Sequence, residues 1–168
     1  MSNVLIGIIG VILFIGLALA GALFLGPRFQ ESTNSSRASA SVQAVTQVAH
    51  AANMFELNNG RPPVEGGIDV TNEIVSTGFL KSVPGNPTDV PGSTHAIVYS
   101  TQGGGSLRAR YVTMMLGGNA EAICKAVSRQ VGQVDASNSP SPSFDGRPVG
   151  CYTNGTGSDT TYTIFARV

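Results

Sequence analysis

Tryptophan is absent from these 168 residues, and histidine and cysteine occur only twice each. Catalytic metal sites draw several ligands from His, Cys, Asp and Glu, and general acid–base chemistry relies first on histidine. The inventory is poor for both, so neither an enzyme nor a bound cofactor is expected. Charge is also scarce, with Asp, Glu, Lys and Arg making up 12% of the chain against about 25% in an ordinary globular domain. Ten basic residues balance ten acidic ones. That leaves no basic face able to neutralise a run of phosphates, and direct nucleic-acid binding is not expected. What the chain has instead is 21 glycines, and a length that suits one ordinary domain.

No charged side chain precedes Arg28, and from Val4 to Leu25 every residue is Val, Leu, Ile, Phe, Ala or Gly. At about 1.5 Å per residue a helix over those 22 residues reaches roughly 33 Å, matching the ~30 Å hydrocarbon core of a bilayer. Fifteen of its side chains are Val, Leu, Ile or Phe. Leaving them in water would cost on the order of 20–45 kcal/mol, more than the ~5–15 kcal/mol that holds a whole domain together. The segment is therefore expected to be buried in lipid or in other copies of itself. A cleaved secretory signal is the weakest alternative. Ala18-Leu19-Ala20 offers a small-x-small site, but no basic residues precede the run and it continues through Leu23, Phe24 and Leu25. A plain membrane anchor fits the length, and so does a helix that leaves the membrane to pack against identical helices.

Glycine is costly in an isolated helix, at about 1 kcal/mol relative to Ala, yet Gly7, Gly10, Gly16, Gly21 and Gly26 all fall in the apolar run. Small residues let helices approach closely, and Gly16-x-x-x-Ala20 is one such pair. Pro27 removes a backbone donor and disfavours helix at Gly26. Gly16, Gly21, Gly26 and Pro27 therefore mark residues 16–27 as the place where the helix would kink or unwind.

Past the polar stretch Arg28–Ser41, Val42, Val45, Ala49 and Ala52 recur at helical spacing with Val48 and Phe55 beside them, while Thr46, Gln47, His50 and Asn53 lie mostly off that stripe. Asn58-Asn59-Gly60 and then Arg61-Pro62-Pro63 end the pattern. The expected fold class is α+β. A long N-terminal helical spine, apolar over residues 1–27 and amphipathic over 28–58, would pack on a small antiparallel-sheet domain over 59–168. Within that domain a short helix is expected at Val70–Thr77, closed by Gly78, with Phe79-Leu80 tucked beneath it. Strands are expected at His95–Thr101 and Leu107–Met115 around the loose tip Gln102–Ser106. A helix at Ala120–Val131 capped by Asn119 and an alternating strand at Thr160–Ala166 complete it. Cys124 falls on the late helix and Cys151 in the loop before the last strand. Two cysteines behind a membrane segment suggest an exported disulfide. The other reading is a buried, free Cys124 and an unrelated Cys151, and spacing does not choose between them.

Taken together, these residues resemble the type IV pilin family. The likeness rests on the uncharged helix Val4–Leu25, the Gly-rich break before Pro27, the stripe Val42–Phe55, the Gly60-Arg61-Pro62-Pro63 loop and the Cys124–Cys151 region. Ala122-Ile123-Cys124-Lys125 on a late helix, within Tyr111–Val131, looks most like the type IVb members, as does Met at the first position. The resemblance implies a structural subunit of an extracellular filament, with Val4, Leu5, Ile8, Ile12, Phe14, Ile15, Leu19 and Phe24 as its polymerisation helix and Gly16–Pro27 departing from helix once assembled. It also implies a Cys124–Cys151 disulfide. Partners implied by the likeness are identical subunits in a homo-oligomeric helical filament, the inner membrane before assembly, a pilus assembly platform and a prepilin peptidase. The location implied is the inner membrane, then the cell surface. The sequence departs from the family at Leu5, where a glutamate is usual. Packing must then set the helix register without a charge, and a minor pilin or pseudopilin role stays open.

Other chemistry is thinly represented. Gly103-Gly104-Gly105 lacks the Lys-Ser/Thr of a phosphate loop, His50 has no second ligand beside it, and no Gly-x-Ser-x-Gly elbow occurs. Asn34-Ser35-Ser36 and Asn154-Gly155-Thr156 are formal glycosylation sequons, and Ser139 and Ser141 in the Ser/Pro loop Ser137–Ser143 are candidates for O-linked sugar.

Overall fold

The computed structural model describes residues 2–63, 68–89, 97–102, 109–133, 147–155 and 160–168. Its elements are helix α1 (Ser2–Asn59), helix α2 (Ile68–Ser76), strands β1 (Ile97–Gln102) and β2 (Ala109–Met115), helix α3 (Ala120–Gln130), and strands β3 (Val149–Asn154) and β4 (Thr161–Arg167). This is an α+β layout with one long N-terminal helix and a small antiparallel sheet. The chain divides into two compact units, Met1–Thr33 and Asn34–Val168.

The first unit is helix throughout its described residues. Gly16, Gly21, Gly26 and Pro27 all lie within α1. Pro27 withdraws one backbone hydrogen bond at a cost of about 3 kcal/mol, so its turn has the least backbone support. The single chain is nonetheless helical there, and a departure from helix at residues 16–27 remains an expectation about an assembled state. Far along the same helix, α1 stops where the sequence says it should. Gly60 takes a left-handed φ of 66°, its N–H donates to the Glu56 carbonyl at 2.8 Å, and the Asn59 side chain donates to the Phe55 carbonyl at 2.9 Å.

In the second unit, α1 is buried along a wider arc than its large apolar residues foretell. Val45, Val48, Ala49, Ala52 and Phe55 are buried as expected, and Ala38, Ser41, Ala44 and Ala51 join them. These small side chains form one apolar cluster with Ile97, Tyr99, Val112, Met114, Ile164 and Ala166 of the sheet and with Ile123 and Val127 of α3. The Ser41 hydroxyl is the exception in that interface, fully buried with no hydrogen-bond partner among the described residues.

The sheet order is β1-β2-β4-β3, with every neighbouring pair antiparallel. Strand β4 is central and buried on both faces from Thr163 to Ala166, where the sequence led us to expect one wet face. On the face opposite the main cluster, Phe165 packs edge-on to Tyr111 and at a tilt to Tyr152. Strand β3 is the main correction to the sequence reading, which placed Cys151 in a loop. Cys151 pairs with Ile164 in the ladder, and Gly150 pairs with Phe165. A β-carbon at Gly150 would lie 2.8 Å from Phe165 Cζ, so the ring occupies the space that makes this strand look loop-like in sequence.

Helix α2 begins at Ile68, two residues before the expected Val70, and Gly78 ends its turn at φ 82°. Below it the Phe79 and Leu80 N–H groups donate to the Ile74 carbonyl, and Leu80 is buried. Asn119 stands at the N-cap of α3 but makes no side-chain cap bond. At the other end Gly132 (φ 70°) turns the chain so that the Gln133 N–H donates to the Ser128 carbonyl at 2.7 Å, a Schellman-type closure. The Cys124–Cys151 disulfide joins α3 to β3.

Two changes in this unit have expected outcomes. Ser41→Ala removes a buried orphan hydroxyl and improves helix propensity, and it should raise stability by about 1–2 kcal/mol. The Cys124→Ala/Cys151→Ala double variant releases a 27-residue separation and should lower stability by roughly 3.5 kcal/mol. Urea unfolding followed by tyrosine fluorescence reads both.

Candidate functional site

The described residues hold no group of three or more His, Cys, Asp and Glu side chains able to grip a metal ion. His50 is exposed on α1. The carboxylate six residues on, Glu56, is taken by an ion pair with Arg110 of β2, and the hydrogen bond that Arg110 donates to it raises the Arg110 pKa further. Arg61 reaches Glu73 at 2.6 Å and lies over the Phe55 ring. These pairs tie the end of α1 to its surroundings, and being partly exposed each is worth no more than about 1 kcal/mol. His95 and Gly103–Gly105 lie outside the described residues.

The feature that stands apart is the surface of α1 in the first unit. Val4, Leu5, Ile8, Ile12, Phe14, Ile15 and Leu19 are all exposed, from 51% at Ile15 to 74% at Phe14. Phe24 lies in the same helix, but its side chain falls outside the described residues. The exposure runs round the whole circumference, since a β-carbon placed at Gly7, Gly10, Gly16, Gly21 or Gly26 would meet nothing within 4 Å. The segment is long and apolar enough to cross a membrane, and none of its most apolar stretch is buried against the rest of the chain. A cylinder of Ile, Leu, Val and Phe with no polar face demands a fully apolar surrounding. Arg28, the first charged side chain, closes the apolar run at its end, and Phe29 beside it is 68% exposed.

The second unit presents a different surface. Among the described residues its sheet ends on one side at β3, and a side chain occupies that edge at Cys151. Gln133 Nε2 donates to the Cys151 carbonyl at 2.8 Å, and the Cys151 N–H donates to Gln133 Oε1 at 3.1 Å. The carboxamide thus acts as one residue of a neighbouring strand and blocks pairing there. Nothing in the sequence flags Gln133 except its place one residue beyond the glycine that ends α3. Nearby, burial pushes the Tyr152 phenol above its ordinary value of 10.0, with a hydrogen bond to Thr163 opposing the shift. Of the candidate modification residues, Asn154 is exposed at the end of β3, whereas Ser139 and Ser141 lie outside the described residues.

No protein-family model, curated protein or solved structure matches this chain.

The Tyr152 shift has a definite sign. A phenol whose pKa is raised by folding contributes stability that is fully present below its unfolded value, near 10, and is lost as pH rises through the folded value. Tyr152→Phe should therefore flatten the decline in stability above about pH 10 relative to the wild type. Unfolding measured at several alkaline pH values checks this.

Proposed function

We propose that this chain is a structural subunit that polymerises through its apolar N-terminal helix into an extracellular filament of the type IV pilus kind, and that it catalyses nothing. The observation that carries the reading is the all-round exposure of Val4–Leu23 on α1. A one-sided apolar stripe would satisfy a lone anchor resting on a protein surface. A helix apolar on every side suits two successive surroundings, lipid before assembly and a bundle of identical helices afterwards. The glycines among residues 7–26 give such a bundle close approach, and packing fixes the register because Leu5 supplies no charge to pair. The second unit suits the outside of a fibre, with its disulfide and its closed sheet edge.

Leu5 also favours a second reading, a membrane-anchored minor pilin or pseudopilin of a secretion or pilus system that does not form long fibres. Negative-stain images of sheared cell-surface material separate the two: long filaments made of this chain support the first, and their lack supports the second. A start of the mature chain after Ala20 or Ala22, read by N-terminal sequencing, would end both.

Ile12→Asp places a carboxylate where no partner exists. Its burial is expected to cost several kcal/mol, and at a bilayer centre about 2.5–3.5 kcal/mol on insertion scales. Filaments should vanish from sheared fractions while the second unit keeps its disulfide and its unfolding transition. Ile12→Ala should retain filaments, and normal fibres from Ile12→Asp would overturn the helix-core reading.

A further inference from the structure

The chain contains two Asn-Gly pairs, Asn59-Gly60 and Asn154-Gly155, and the fold treats them differently. At the end of α1, the Gly60 N–H is occupied by the Glu56 carbonyl and the Asn59 carboxamide by the Phe55 carbonyl. Helical backbone holds both groups in place. At the turn after β3, Asn154 and Gly155 are both exposed. The Asn154 carbonyl accepts a bond from Thr161 Oγ1 at 3.1 Å. Its carboxamide and the Gly155 N–H have no hydrogen-bond partner among the described residues. Gly155 takes φ 96°, a conformation open to glycine and rarely to other residues.

We propose that Asn154-Gly155 is a self-modification site, at which the hairpin between β3 and β4 converts to an acidic form through a cyclic imide. The Gly155 backbone nitrogen gives its proton to solvent base and bonds to Asn154 Cγ. The tetrahedral adduct expels the side-chain nitrogen as ammonia, leaving a five-membered imide. Water then adds at one of the two imide carbonyls. Breaking the bond from nitrogen to Cγ gives aspartate, and breaking the bond from nitrogen to the main-chain carbonyl carbon gives isoaspartate. The sum is carboxamide plus water to carboxylate plus ammonium, with no oxidation or reduction. With ten cationic and ten anionic residues at the start, the product carries one net negative charge. In isoaspartate the main chain also gains a methylene at the last rung of the hairpin, the Asn154–Thr161 pair.

The test is incubation of the full chain in detergent micelles at neutral and mildly alkaline pH, followed by reduction, digestion and peptide mass spectrometry with fragmentation that distinguishes isoaspartate. The expected result is conversion at Asn154, faster at the higher pH, yielding aspartate and isoaspartate together while Asn59 keeps its amide. In denaturant Asn59 should convert as well. Gly155→Ala should lose the conversion over the period in which half of the wild type reacts. An intact Asn154 in the folded chain, equal reaction at Asn59 and Asn154 in the folded chain, or aspartate formed without isoaspartate would each overturn the proposal. Because the two asparagines report within one molecule, the comparison stands even if Gly155→Ala disturbs the turn.

Discussion

Shelter for the first apolar turns of α1 is the constraint on which everything else depends. Fifteen large apolar side chains between Val4 and Leu25 represent a free energy larger than the stability of the folded domain that follows. Among the described residues nothing covers that helix surface. Its environment therefore has to be apolar and external. Lipid, or a bundle of sister helices as proposed above, would meet that need with the same side chains.

The second unit solves the opposite problem, holding a fold together with few large side chains. It relies on small side chains. Ala38, Ala44, Ala51 and Ala52 of α1 are buried in one cluster with the sheet, and Gly150 lets the Phe165 ring settle over β3. Such an interface buries less area per residue than one of leucines, so covalent and polar ties matter more. The Cys124–Cys151 bond, the Gln133 carboxamide and the Glu56–Arg110 pair all tie an edge or an end that packing leaves weakly held.

Much of this was legible in the sequence wherever side chains are large or backbone signals strong. The apolar run, the amphipathic stripe ending at Gly60, the short helix closed by Gly78 and the late helix of Cys124 all follow from periodicity and glycine placement. Alanine and serine carry little hydropathy, so the buried arc through Ala38, Ser41, Ala44 and Ala51 left no trace beside the stripe anchored by Val42, Val45, Val48 and Phe55. Strand β3 was hidden because Gly150 interrupts its run of strand-forming residues, and what excuses that glycine is an aromatic fifteen positions later. The role of Gln133 depends on where a Schellman turn aims one side chain, a three-dimensional fact with no local signature.

Cys151 is secured by three independent means: the ladder to Ile164, the paired hydrogen bonds of Gln133 and the bridge to Cys124. Two of the three require no oxidant. A newly made chain can thus bring its sulfur atoms into register while both are still thiols, and oxidation then seals an arrangement already reached instead of searching for one. That order of events leaves the two thiols little opportunity to wander into mismatched bridges.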